Sequence, residues 1–429
     1  MPSRIVISHA RFTGISSNRF TPLALFTICD TLSLLTYCEQ HNRGDLTLAS
    51  DDLLLHNLRA LARARHTRGD TGLALRPSPQ PQEFFEPLHD SDTDVDQQGL
   101  VLEPQEGEEF GIVPLAPRQQ RIRIGAFCDG TRKTYFVGHE GTLPILYTRN
   151  AAAVRTREAI TGHHTCFHSL LRQEATLLAP FWLFPPVIRG AYDALGLCRR
   201  RLADLTKAEG DEYSPTPVEM ERLGSQGWQA RAMRRARRLL DVGEQVMALA
   251  GARILRENDP GGLTWLLKDG SLFQFDKKYL QAGEPLRQVV SAVKTHPVAF
   301  FGVKGERMIS ELKVGERSVA FLPRPNGEAR ENCKFEETPR PMVSWYLRVQ
   351  PSLPHSPNLL SGVVRLDIAA VDGWRKAIND VSWAVLDEFY GLSARPDPRA
   401  DVMPFGTYDC EQYLKAREIP GELLLAQLA

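Results

Sequence analysis

Apolar residues recur at near-helical spacing early in the chain: Leu23, Leu25, Phe26, Leu32, Leu34 and Leu35, then Leu53, Leu54, Leu55, Leu58 and Leu61. They predict a helical N-terminal region over 1–66. The pattern breaks at RPSPQPQ (76–82), and acidic, aromatic-poor sequence runs from Glu86 to Glu109. Residues 67–115 therefore read as a poorly ordered, acidic and proline-rich linker or long loop. Alternation returns at RIRIGAF (121–127), a buried strand expected to end at Cys128-Asp129-Gly130-Thr131, with TYFVG (134–138) as its returning hairpin partner. The stretch from about 150 to 206 reads as mostly helical. Thr216, Pro217 and Glu219 then make an N-cap, a first-turn proline and a capping box. They open a long helix, interrupted near Gly224–Gly227 and well patterned from 228 to 257. LTWLL (263–267) is a second buried strand, ending at Lys268-Asp269-Gly270-Ser271. VAFFGVK (298–304), RSVAFL (317–322), SWYLRV (344–349) and GVVRLDI (362–368) are further strand candidates, with helices expected over 373–390 and 410–416. Strands interleaved with helices over 116–429 make this an α/β domain.

Charge adds little to this picture. Lysine plus arginine (52) equals aspartate plus glutamate (52), so any affinity for nucleic acid has to come from local clustering. The strongest clusters are RAMRRARR (231–238), with Arg234, Arg235 and Arg238, and CRRR (198–201). Seven scattered cysteines without a CxxC pair argue against a zinc knuckle or a disulfide framework and fit a reducing cytoplasm. No apolar run reaches the ~18–20 residues of a membrane span, and no signal-peptide order is present. The expectation is a cytoplasmic protein without a membrane partner. Asp90, Asp92, Asp94 and Asp96 lack the glycine and closing glutamate of a calcium loop. His164, Cys166 and His168 lack the glutamate and second ligand pair of a zinc site. Neither a P-loop nor a GxSxG elbow occurs.

Two apolar strands that each run into Asp-Gly-Ser/Thr, on either side of a long helix, carry the candidate chemistry. Strand-end carboxylates lie at a sheet rim, and hard divalent cations need several such oxygens from separate elements. Asp129 and Asp269 are the first two ligands. The third is sought on the intervening helix, where Arg237, Asp241, Glu244 and Ala248 share a face. Glu244 is the choice and Asp241 its rival. Asp-Gly is also a common hairpin turn, so each motif alone favours the structural reading.

CDGTRKTY (128–135), LLKDGSL (266–272), VVSAVKTHPVAF (289–300), LKVGERSVAF (312–321), WYLRV (345–349), GVVRLDI (362–368) and DPRADVMPFGTYDCEQYLK (397–415) resemble, in this order, blocks of the bacterial branch of the NurA nucleases. The resemblance covers roughly 120 to 416. It implies an RNase H-like, PIWI-related mixed sheet flanked by helices. It also implies a homodimer, manganese or magnesium as cofactor, DNA as substrate and a HerA-like hexameric ATPase as partner in end resection or anti-phage defence. Asp129, Asp269 and Glu244 match the metal-binding acids. Lys294 matches the family lysine, which would contact phosphate, and Arg365 a late-strand arginine; Arg365, His296 in the same block as Lys294, and Arg234, Arg235 and Arg238 of the basic run are expected at DNA. Met403 and Glu411 stand where archaeal members carry a tyrosine and a histidine. A catalytically inactive subunit that docks on and regulates the ATPase is the alternative.

Overall fold

The computed structural model describes residues 46–67, 72–77, 98–102, 110–157, 164–165, 170–194, 202–207, 216–272, 275, 280, 284–294, 300–324, 342–351, 360–389, 404–418 and 420–426. The first elements are α1 (Leu46–His66), β1 (Leu73–Leu75), β2 (Gln98–Val101) and β3 (Ile112–Pro114). A long ribbon follows, β4 (Arg123–Glu140) and β5 (Leu143–Arg157), then β6 (His164–Thr165), β7 (Leu171–Ala179), α2 (Pro186–Ala194) and β8 (Leu202–Asp204). Helices α3 (Pro217–Arg222) and α4 (Ser225–Asn258) lead to β9 (Thr264–Asp269), β10 (Val289–Val293), α5 (Gly302–Glu311), β11 (Glu316–Ser318) and β12 (Phe321–Arg324). The chain continues through β13 (Met342–Arg348), β14 (Val363–Ala369), α6 (Trp374–Asp387), α7 (Phe405–Lys415) and α8 (Gly421–Ala426). Among the described residues no helix is long and apolar enough to cross a membrane.

The strands form one mixed sheet in the order β2-β12-β13-β14-β10-β9-β4-β5-β7-β8. Its centre is parallel (β4, β9 and β10). The β4–β5–β7 meander on one side and β14–β13–β12 on the other are antiparallel. Helix α4 covers one face, where Met247, Ala248, Ala252 and Leu255 pack on Ala126, Ala152, Val154 and Leu266. Helix α6 covers the other, where Ile378, Val381 and Val385 pack on Phe127, Trp265, Leu267, Val290 and Leu366. Helix α7 lies on that second face over β4 and β5, with Cys410 and Leu414 against Ala151 and Ala153. At the far end of the ribbon, α1 and α2 build a separate core on Tyr135, Val137, Ile145 and Tyr147. The buried Arg65–Glu140 ion pair adds to it, with Nη2 donating to Oε1 at 2.9 Å.

Several expectations are corrected. The strand through Asp129 does not turn there; it is eighteen residues long and runs on to Glu140, and its partner begins only at Leu143. The stretch expected to be helical over 150–206 is largely β5, β6, β7 and β8, with α2 as its main helix among the described residues. Ala151, Ala152 and Ala153 favour a helix by propensity, yet here small side chains are what allow α7 and α4 to approach β5 from opposite faces. Of VAFFGVK, the described residues 300–304 form a turn and the start of helix α5 rather than a strand, because Phe301 and Gly302 both take positive φ (72° and 59°). Parts of the expected linker pair as short strands: β1 with β4, β2 with β12, and β3 with β11. The acidic string at 90–96 lies outside the described residues, as do Cys166 and His168. His164 pairs in extended form with Arg157. The Thr216 capping box is present, and the interruption falls at Leu223–Gly224.

Candidate active site

Asp129 lies at a rim because its neighbour stops. β9 pairs with β4 only as far as Cys128↔Lys268, so β4 continues past the end of β9 from Asp129 onward. Across β5, Asp129 pairs with Ala153, whose side chain packs on Cys410 and Leu414. Directly paired residues share a face, so Asp129 is on the α7 side. It is 5% exposed. On β9, Leu266 faces α4 and Leu267 faces α6. Alternation then sends Lys268 to the α4 side and Asp269 to the Asp129 side. The ion pairs agree: Lys268 Nζ is 2.7 Å from Glu244 Oε2, and Lys294 Nζ is 2.7 Å from Asp269 Oδ2.

The acids thus approach one rim from two faces. Asp129, Asp269 and Lys294 come from the α7 side, Glu244 and Asp241 from α4. Gly130 is what lets the helix close. A Cβ there would stand 2.6 Å from Glu244 Oε1 and 2.6 Å from Leu240 Cδ1. The glycine after Asp129 serves close helix approach rather than a turn. Gly270, at φ 77°, does turn the chain after Asp269. Each aspartate accepts a hydrogen bond from the N–H of its following glycine, at 2.8 Å for Asp129 and 3.0 Å for Asp269.

Burial raises the Asp129 carboxyl well above its ordinary range, and Asp269 raises it further, while Lys294 opposes the shift. Asp241 is pushed up to about 6 by burial and by Glu244, with Lys268 opposing. Burial also lifts the Cys128 thiol, followed by Glu244, so this cysteine is an inert part of the wall. Lys268 is fully buried; burial, the largest single influence, favours its neutral form, but Glu244, Cys128 and Asp269 together outweigh it and the ammonium is held above its ordinary value. It also donates to the Asp269 carbonyl at 2.5 Å.

A second buried network steadies the turn after Asp269. Asp367, on β14, accepts from Ser271 Oγ (2.9 Å), Ser344 Oγ (2.7 Å), Ser291 Oγ (3.3 Å) and Arg365 Nε (2.9 Å). Arg365 Nη2 also donates to Ser271 at 3.0 Å. Arg365, expected at DNA, is therefore an internal brace. Arg235 is likewise buried and donates to the Lys207 carbonyl at 2.6 Å. Arg234 is exposed and Arg238 half-buried. Glu411 is buried on α7 beside Lys415. His296 and Met403 lie outside the described residues. Sequence reasoning missed Lys268 and Asp367; the available signal was a charged residue at an inward position of each apolar strand.

The donor set, carboxylate oxygen only, suits a hard divalent cation. As the side chains stand, no group of three or more His, Cys, Asp or Glu among the described residues is gathered to hold a metal ion. Lysines occupy Glu244 and Asp269 instead. No protein-family model matches the chain, and no curated protein matches it.

Proposed function

We propose that this chain is a divalent-metal-dependent DNA nuclease with an RNase H-like core, of the NurA kind, working in the cytoplasm as a homodimer with a HerA-like ATPase. The observation that carries this reading is the pair Asp129 and Asp269. They sit on adjacent parallel strands, on one face, at the point where β9 ends, with Lys294 beside them and Glu244 against Gly130. The sheet order supports it too: an antiparallel meander (β4, β5, β7), a long crossing helix (α4), then β9 and β10 parallel to β4.

Asp129 and Asp269 would hold manganese or magnesium, with Glu244 completing the set from α4. When bound, the cation supplies Lewis-acid activation of the attacking water and charge stabilisation at the leaving 3′-oxygen. Lys294 is paired with Asp269, where it would also offset charge on the phosphate. Lys268 neutralises Glu244 and ties it to the β9 backbone, so the helix acid is held at the rim while the site is empty of substrate. The Asp367 network fixes the turn that follows Asp269. The alternative, an inactive subunit that docks on the ATPase, draws on one observation: two of the three candidate ligands are already paired with lysines.

The test is cleavage of supercoiled plasmid with manganese, magnesium or EDTA, with and without the ATPase. Asp129→Asn and Asp269→Asn are each expected to lower the metal-dependent rate by at least about a thousandfold while leaving circular dichroism unchanged. Wild-type rates in either variant, or no cleavage by the parent under any of these conditions, would defeat the nuclease reading.

A further inference from the structure

Far from the acids, a tryptophan stands out of the surface beside two cations. Trp182 lies in the short helical turn after β7 and is 60% exposed. The Arg189 guanidinium lies 4.2 Å from the centre of its ring and Lys207 Nζ 5.6 Å. Among the described residues neither cation makes an ion pair. The platform is built rather than loose: the Trp182 N–H donates to Asp204 Oδ1 at 3.4 Å, and the same oxygen accepts from the Thr206 N–H and hydroxyl. It is also joined to the basic run of α4. Arg231 Nε donates to the Leu205 carbonyl at 2.5 Å and Arg235 Nη2 to the Lys207 carbonyl at 2.6 Å, with Arg234 exposed beside them. From Arg235, α4 runs about 13 Å along its axis to Glu244, so one helix connects this surface to the acidic rim.

We infer that Trp182, with Arg189 and Lys207, is a stacking platform for single-stranded nucleic acid, placed to feed a strand along the basic half of α4 toward Asp129 and Asp269. An exposed ring flanked by cations that make no ion pair among the described residues suits a base and its phosphates, each nucleotide bringing one planar face and one anion. Leu183 (40%) and Val187 (83%) are exposed nearby and would suit a protein surface. A protein covering this patch would have to bury both cations and supply carboxylates for them, whereas a nucleic acid brings the countercharge with every residue. The substrate class rests on the nuclease reading; the binding step does not need cleavage.

The experiment measures polarisation of labelled oligothymidylate, and of a duplex of equal length, in EDTA so that no cutting occurs. Trp182→Ala is expected to weaken oligothymidylate binding about tenfold and to change duplex binding much less. Trp182→Phe restores most of it. Lys207→Glu weakens it with a shallower salt dependence. A Trp182→Ala protein that melts normally and binds oligothymidylate like the parent overturns the platform. So does one that keeps that affinity but loses self-association in light scattering, which assigns the patch to protein. If binding depends on Trp182 but the parent never cleaves with manganese, the platform stands and the nuclease reading falls. Cleavage with binding indifferent to Trp182 gives the reverse.

Discussion

Asp129 is the residue where function and stability pull apart. A carboxyl that is 5% exposed, with Asp269 on the same face, is costly to ionise. Asparagine keeps the acceptor for the Gly130 N–H and drops the charge. Asp129→Asn is therefore expected to melt a few degrees higher than the parent at neutral pH, a gain of about 1–2 kcal/mol, while losing activity. A lower melting temperature in calorimetry would contradict this account of its burial. Asp241 gives the pH-dependent counterpart. Its carboxyl titrates near 6 when folded and about 3.9 when unfolded. Between these values the folded chain holds a proton that the unfolded chain has lost, so stability declines as pH rises through that window and levels off above it. The melting-temperature advantage of Asp241→Asn over the parent should be near zero at pH 4 and fully developed by pH 7. An advantage that shrinks over that range would have the wrong sign.

Among the elements, α7 is set by one glycine. A Cβ on Gly406 would fall 2.2–2.3 Å from three ring carbons of the buried Phe127, so the helix lies directly on β4. Gly406→Ala is expected to cost about 1–3 kcal/mol and to speed hydrogen exchange in α7. Gly190→Ala, in open space on α2, should be within about 1 kcal/mol of the parent. Equal effects at the two positions would show that the contact does not matter. The sequence made some elements legible and hid others for physical reasons. β9, β13 and β14 are apolar runs buried on both faces, and α3 announces itself through Thr216, Pro217 and Glu219. From residue 150 on, β5 reads as helix in the sequence because its alanines answer to the helices packed on it, which local propensity does not register. β1, β2 and β3 are three- or four-residue edge strands paired with distant partners, too short for a period. At the site, Asp129 and Asp269 were legible as residues, but the reason Asp129 is at a rim was not, since it depends on where another strand ends.

At the scale of the whole molecule, a cation bound only by the folded chain must stabilise it. Manganese at a hundred times its dissociation constant should add about 2.7 kcal/mol, seen as a rise in melting temperature of the parent that Asp129→Asn and Asp269→Asn lack. A shift of equal size in all three proteins would place the ion elsewhere. The length of β4 has a consequence for how this chain can change over evolutionary time. The strand passes without a break from the acidic rim to the core under α1, and its pairing with β5 is irregular at one place, between Phe136 and Gly138. Because side chains alternate, adding or deleting one residue between Asp129 and that irregularity would turn either the carboxylate or the distal core inside out. Insertions by twos keep the parity, and a single-residue change is absorbed only at the bulge. The stretch from Asp129 to Phe136 is therefore a spacer of fixed parity.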